Sequence, residues 1–128
     1  MIEAIDRFVD NMVLLNEGAD VDFYKSSIDA AFERICGALL KGQRSDTIWY
    51  DGTGDLSCEK IDNQVLVFKG NMHVMDGQKK HWREPFVAEV TLSSDQKSCY
   101  VSVSCGEYSS TGNLHETFGY KRPIGVKS

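Results

Sequence analysis

The chain has 128 residues, of which 41% are hydrophobic and 26% charged, and its formal net charge is −5 at pH 7. This balance is typical of one soluble globular domain and excludes a disordered or fibrous chain. No apolar run reaches the roughly 18 residues of a transmembrane helix, so we expect no membrane partner. The first fifteen residues carry three acids and lack the features of a signal peptide, which favours a cytoplasmic protein.

The net charge is concentrated in the first 40 residues. They hold eight acids and three bases, whereas the remaining eleven acids and eleven bases cancel. A negative surface repels nucleic acid and attracts a basic protein, so we predict a basic protein partner and no nucleic acid. The same acids would also suit a solvated helix face that only maintains solubility. Four acids in this region are the predicted partner-binding residues: Asp6, Asp10, Glu17 and Asp20.

Two amphipathic helices are predicted at the start of the chain, over about residues 2–16 and 22–41. In both segments the apolar residues recur at helical spacing, with charged residues between them. Gly18 is placed for the left-handed conformation that follows a helix, and Asp20 or Asp22 for capping the next one. The short connection predicts a helical hairpin.

Strands are predicted within residues 47–120, because the apolar period changes to two. The clearest alternation lies in residues 82–105, where two arms joined by a polar loop form a hairpin with one solvated face. A long strand over 64–75 precedes it, and Gly70 in its apolar face predicts a bulge or a bend. Short polar segments mark the connections. Residues 51–54 and 76–77 are predicted turns, 109–113 a loop, 114–120 the last strand and 122–128 a frayed tail.

Helices followed by strands are the element order of an α+β fold. We predict a single domain over residues 1–128, with an N-terminal helical hairpin packed on one face of a five- or six-stranded antiparallel β-meander.

Residues that carry chemistry are scattered in this plan. His73, His81 and His115 fall in different segments, so we expect nothing to bring them together and predict no metal site. The four cysteines have no close-pair spacing and are predicted to be free thiols, mostly buried and unreactive. The chain contains no nucleophile elbow and no cofactor motif, so we predict no catalytic residue and no cofactor.

These patterns favour a non-enzymatic protein-binding module, in its most concrete form an inhibitor or immunity protein that neutralises a basic partner such as a nuclease toxin. The oligomeric state is left open. The solvated sheet face offers an alternative contact through Tyr100, Ser102 and Glu89.

Two other functions remain open at this point. One is a small-molecule-binding protein or enzyme with a pocket between the helices and a curved sheet, where Tyr50, His73 and Glu89 or Asp51 would act as acid and base. The other is a subunit or chaperone that acts through an apolar edge.

Overall fold

The computed structural model describes residues 2–40, 47–51, 56–106 and 108–118 and has the predicted α+β architecture. The helices are α1 (Ile2–Asn16), α2 (Lys25–Leu40) and α3 (Leu114–Thr117), with a 3₁₀ helix at Val21–Tyr24. The strands are β1 (Thr47–Asp51), β2 (Ser57–Asp62), β3 (Val65–Met75), β4 (His81–Leu92), β5 (Cys99–Cys105) and β6 (Tyr108–Asn113). The predicted turn at 51–54 is described only at Asp51, the last residue of β1, and the end of the second helix and the predicted tail lie outside the described residues.

The helical hairpin forms as predicted, except that α2 begins later. Gly18 has a φ of 106° after the end of α1, the left-handed conformation in which a glycine is least strained. Asp20 then caps a 3₁₀ turn by accepting a hydrogen bond from the Asp22 backbone amide at 3.0 Å. The 3₁₀ turn runs directly into α2, which starts at Lys25, and forms a short corner after the end of α1.

The sheet is antiparallel and follows meander order from β2 to β6, with one departure from the prediction. β1 does not lie outside β2, because both strands pair with the same edge of β3. β2 is paired with residues 65–69 of β3 and β1 with residues 71–75. The eleven residues of β3 are long enough to hold both strands end to end.

The bulge predicted at Gly70 does not form on the β4 side, where the pairing runs unbroken from Val65 to Met75. The glycine is required for space. A Cβ atom at this position would lie 2.6 Å from Cε1 of Phe86, its cross-strand partner, a distance far inside van der Waals contact.

The end of the described chain differs from the prediction. The predicted loop at 109–113 is part of β6, and the predicted strand at 114–120 begins instead with α3. Leu114 and His115 are both buried, which successive residues of a strand on a half-solvated sheet cannot be. Asn113 caps the turn by accepting a hydrogen bond from the Glu116 amide at 3.2 Å.

The core lies between the two long helices and the sheet, and aromatic rings fill its centre. Phe32 of α2 is in edge contact with Phe8 of α1, Phe68 of β3 and Phe86 of β4, at centroid distances of 5.2 to 5.8 Å. Tyr50 of β1 joins this cluster. None of the helices in the described ranges is both long enough and apolar enough to cross a membrane.

Candidate functional site

The four predicted acidic residues do not form one surface. Asp6 and Asp10 border a shallow groove together with Gln96 and Lys97 of the β4–β5 loop. Asp20 borders a different groove beside β2. Lys97 offsets part of the negative charge in the first groove. The electrostatic field at Asp6 and Asp10 is therefore weaker than the concentration of acids in the sequence suggests.

Asp6 also has a structural role that the sequence did not indicate. His115 Nε2 donates a hydrogen bond to Asp6 Oδ1 at 2.8 Å, and the imidazole is only 4% exposed whereas the Asp6 side chain is 59% exposed. A buried polar ring is stabilised by such a partner. Asp6 therefore joins α1 to α3 as well as contributing surface charge.

The connection between the long helices carries the most exposed large apolar side chain of the described residues. Phe23, in the 3₁₀ turn, is 84% exposed and directly follows the exposed acids Asp20 and Asp22 in the chain. Glu17, at the end of α1, is also exposed. We call Glu17, Asp20, Asp22 and Phe23 the acidic corner.

The sequence prediction does not include Phe23, because that prediction follows the residues of the apolar helical stripe. It is an aromatic residue out of phase with Tyr24 and Ile28, which pack inward. An aromatic side chain that lies off the stripe and directly follows two closely spaced aspartates is the sequence signal that identifies it.

A groove of about 240 Å³ opens beside the acidic corner, between the helix connection and β2. Lys60 of β2 borders it and donates from Nζ to the Asn16 backbone carbonyl at 2.8 Å, which ties the end of α1 to the sheet. Cys58 lies in the same wall, and partial burial raises the pKa of its thiol to about 11. At neutral pH this thiol is protonated and a poor nucleophile.

The second candidate surface is the sheet face that the helices do not cover. Glu89 of β4 is the register partner of Ser102 of β5, and Tyr100 is the partner of Thr91. These side chains are exposed, as the alternation of the two arms predicts, and Tyr100 is 55% exposed. The three predicted residues of this face are therefore neighbours.

Two of the three histidines meet on this face, contrary to the prediction. His73 Nε2 lies 3.2 Å from His81 Nδ1, and Trp49 stacks on His73 with ring centroids 4.7 Å apart. The prediction was wrong because it assumed that the turn after Met75 keeps the residues on its two sides apart. The β3–β4 hairpin pairs Met75 directly with His81. His73, two residues before Met75, therefore lies diagonally opposite His81 on the same face of the sheet.

The predicted acid–base group is not assembled. Tyr50 points into the core and donates from its hydroxyl to Asp29 of α2, whereas His73 and Glu89 lie on the opposite face of the sheet. The aromatic cluster around Phe32 occupies the centre of the space that the predicted pocket would need. The Asp51 side chain lies outside the described residues.

The four cysteines are free thiols, as predicted. Burial raises the pKa of Cys36, Cys99 and Cys105 to about 12, with a smaller contribution from the nearby Glu84 carboxylate at Cys105. Thiols held in the protonated form are inert, which fits structural rather than catalytic cysteines.

No protein-family model matches the chain, and no curated protein or solved structure matches it significantly. The two surfaces described above are therefore the features of the molecule that bear on its function.

Proposed function

We propose that the protein is a non-enzymatic protein-binding module, most concretely a cytoplasmic inhibitor or immunity protein that neutralises a basic partner such as a nuclease toxin. The observation that carries the proposal is the acidic corner, where an aromatic ring that is 84% exposed follows three exposed acids in a short stretch of the chain. A ring that remains mostly in water contributes little to folding, whereas in an interface it supplies buried apolar area.

The chemistry of the corner matches a basic partner. An arginine can stack its planar guanidinium on the Phe23 ring while it pairs with a neighbouring carboxylate. The groove beside the corner offers an adjoining recess between Asp20 and Lys60. Attraction between the acidic half of the chain and a basic surface would also accelerate encounter.

The acidic corner supports this proposal better than the sheet face does. Lys69, Arg83 and Glu89 on the sheet face carry mixed charges, so that face has no clear preference for a basic protein. At the corner three exposed acids precede one exposed aromatic ring in a short stretch of the chain, and Lys60, which borders the groove, bonds to Asn16.

The test compares capture of cellular proteins by immobilised wild type and two variants. The corner variant carries Glu17→Gln, Asp22→Asn and Phe23→Ser, and leaves the capping residue Asp20 in place. The sheet variant carries Glu89→Gln and Tyr100→Ser. All five side chains are exposed, so both variants should keep the fold.

We expect a basic protein to be retained by the wild type and the sheet variant, released by salt, and lost from the corner variant. Co-expression with the captured protein should then relieve its toxicity. Retention by the corner variant and loss from the sheet variant would assign docking to the sheet face instead. If neither variant altered the retained basic proteins, docking through both surfaces would be excluded, and if the wild type retained no basic protein, the protein-binding proposal would fail.

A further inference from the structure

His73 and His81 form a pair on the uncovered face of the sheet, near the β3–β4 hairpin. The facing nitrogens, Nε2 of His73 and Nδ1 of His81, are 3.2 Å apart, and the ring planes are inclined by 79°. Register holds the two residues in place, since His81 pairs with Met75 and His73 pairs with Arg83. Both imidazoles are accessible to solvent.

Trp49 restrains this pair from the neighbouring strand. Its ring lies parallel to that of His73, with an interplanar angle of 10°, and stands edge-on to His81 at a centroid distance of 6.5 Å. Stacking limits the rotation of the His73 side chain. A restrained donor loses less conformational entropy on binding a ligand than a free one does.

We propose that His73 and His81 chelate a divalent transition metal of the nitrogen-preferring class, such as copper, nickel or zinc. Metal–imidazole bonds are about 2.0–2.1 Å long, so two nitrogens 3.2 Å apart subtend about 100° at a shared ion. That angle lies between those of octahedral and tetrahedral coordination. The separation of the two nitrogens is therefore that of two ligands of one ion.

Binding requires a change of tautomer. At present one imidazole donates a hydrogen bond to the other, so one proton lies between the two facing nitrogens. Both nitrogens become ligands when each neutral ring carries its single proton on its other nitrogen. Small rotations of the rings then direct both lone pairs toward the ion.

The surroundings determine which ions can bind. Arg83 is the cross-strand partner of His73, and Lys79 and Lys80 precede His81, so the local charge is positive. Ions that bind through charge and oxygen ligands, such as Mg²⁺ and Ca²⁺, are disfavoured there. Among the divalent metals that form strong bonds to imidazole, we expect Cu²⁺ to have the highest affinity.

The site has open coordination positions. Among the described residues no third histidine, cysteine, aspartate or glutamate joins the pair. Water would complete the coordination shell, as at sites where the metal remains exchangeable. We therefore expect reversible binding of a single ion rather than a structural metal required for folding.

The test is titration of the tag-free protein with Cu²⁺, Ni²⁺, Zn²⁺ and Mg²⁺, followed by calorimetry. We expect one Cu²⁺ per chain and no measurable Mg²⁺ binding. His73→Gln and His81→Gln should each lower the Cu²⁺ affinity at least tenfold, because chelation needs both ligands. Lys80→Gln is the matched control: it keeps both imidazoles and removes a positive charge, so the affinity should be equal or higher.

Fluorescence gives a second readout, because bound Cu²⁺ quenches nearby indoles. Trp49→Phe should remove more of the quenching than Trp82→Phe, since Trp49 is the ring stacked on the pair. Acidification of the unaltered protein should weaken the binding of Cu²⁺, Ni²⁺ and Zn²⁺ alike, because protons compete for the same nitrogens. Wild-type affinity in both histidine variants, or affinity that does not change with acidification, would overturn the proposal.

Discussion

Single residues constrain this fold most strongly where the sheet faces the core. Gly70 lies opposite Phe86, and the edge of the Phe86 ring occupies the space in which any other side chain would begin. The ring is held there by Phe32 and Tyr50, so it cannot move aside freely. A close-packed interior transmits such a conflict to all the neighbouring side chains.

We expect Gly70→Ala to lower the free energy of unfolding by about 1–3 kcal/mol, the usual cost of overpacking. Gly37 in α2 is the matched control, because a Cβ atom there would contact nothing within 4 Å. Gly37→Ala should raise stability by about 0.5–1 kcal/mol, because alanine is the better helix former. Denaturant melts of the two variants check this pair, and a neutral Gly70→Ala would contradict the contact with Phe86.

The thiols provide a second test at this scale. In the native protein we expect Cys58 to react first with a thiol reagent, since it is half-buried, and Cys36, Cys99 and Cys105 to react only on unfolding. Mass spectrometry of protein labelled at intervals gives the order. Rapid native labelling of Cys99 and Cys105 would mean that the strand faces are assigned the wrong way round.

The same thiols give a pH dependence with a definite sign. Burial raises the pKa of Cys36 and Cys99 from 9.0 to about 12, so the unfolded chain loses these protons first as the pH increases. Stability should therefore decline above about pH 9, where the unfolded state binds fewer protons than the native state. Thermal melts of the wild type and of Cys99→Ala between pH 8 and 11 should show the smaller decline in the variant.

Among the elements, the hairpin of β4 and β5 is the most regular. Where the two strands pair with each other, the inward residues are buried, including Val90 and Val101, which are register partners. Its outward residues are solvated, and Ser102 is one of them. The hairpin thereby defines which sheet face meets the helices and which is available for binding.

We expect Val90→Ala and Val101→Ala each to destabilise the protein by about 1–3 kcal/mol, because each removes buried methyl groups. Ser102→Ala serves as the control and should change stability by less than about 0.5 kcal/mol, since the side chain is exposed. Chemical denaturation measures all three. A larger loss for Ser102→Ala than for the valine variants would contradict the observed burial.

For the whole molecule, charge should govern how fast a partner is met. Replacing Asp10, Glu17 and Asp22 by Asn or Gln should slow association with a basic partner several-fold at low salt and leave dissociation nearly unchanged. At physiological ionic strength the difference should shrink, because screening acts over about 8 Å. Asp6 is left in place because it bonds the buried His115, and Asp20 because it caps the 3₁₀ turn.

The measurement is the association rate of the wild type and of the variant with the basic partner, in parallel at two salt concentrations. On-rates that were equal and independent of salt would rule out docking through these acids. The sheet face with Glu89, Tyr100 and Ser102 would then be the better surface. As a control, the variant should unfold at the same temperature as the wild type, since exposed charges contribute little to stability.

The sequence by itself determined the class of fold, most elements and the buried faces. Helical and strand periodicities are local, because each records which side of one segment meets the core. The stripe of α1 and the alternation of β4 and β5 are therefore readable without any knowledge of what packs against them. The burial of Cys99, Val101 and Cys105 follows directly from that alternation.

Only the tertiary structure decided the features that depend on contacts between segments distant in the chain. Polar residues 109–113 form β6 because the neighbouring edge of β5 offers backbone partners, which override a loop-forming composition. Pairing across β1, β3 and β4 assembles Trp49, His73 and His81, and the end-to-end placement of β1 and β2 depends on the length of β3. Phe23 is exposed because a 3₁₀ turn, rather than a longer helix, joins α1 to α2. Each of these features depends on which distant segments pair or pack with one another. The periodicity of a single segment does not specify those partner segments.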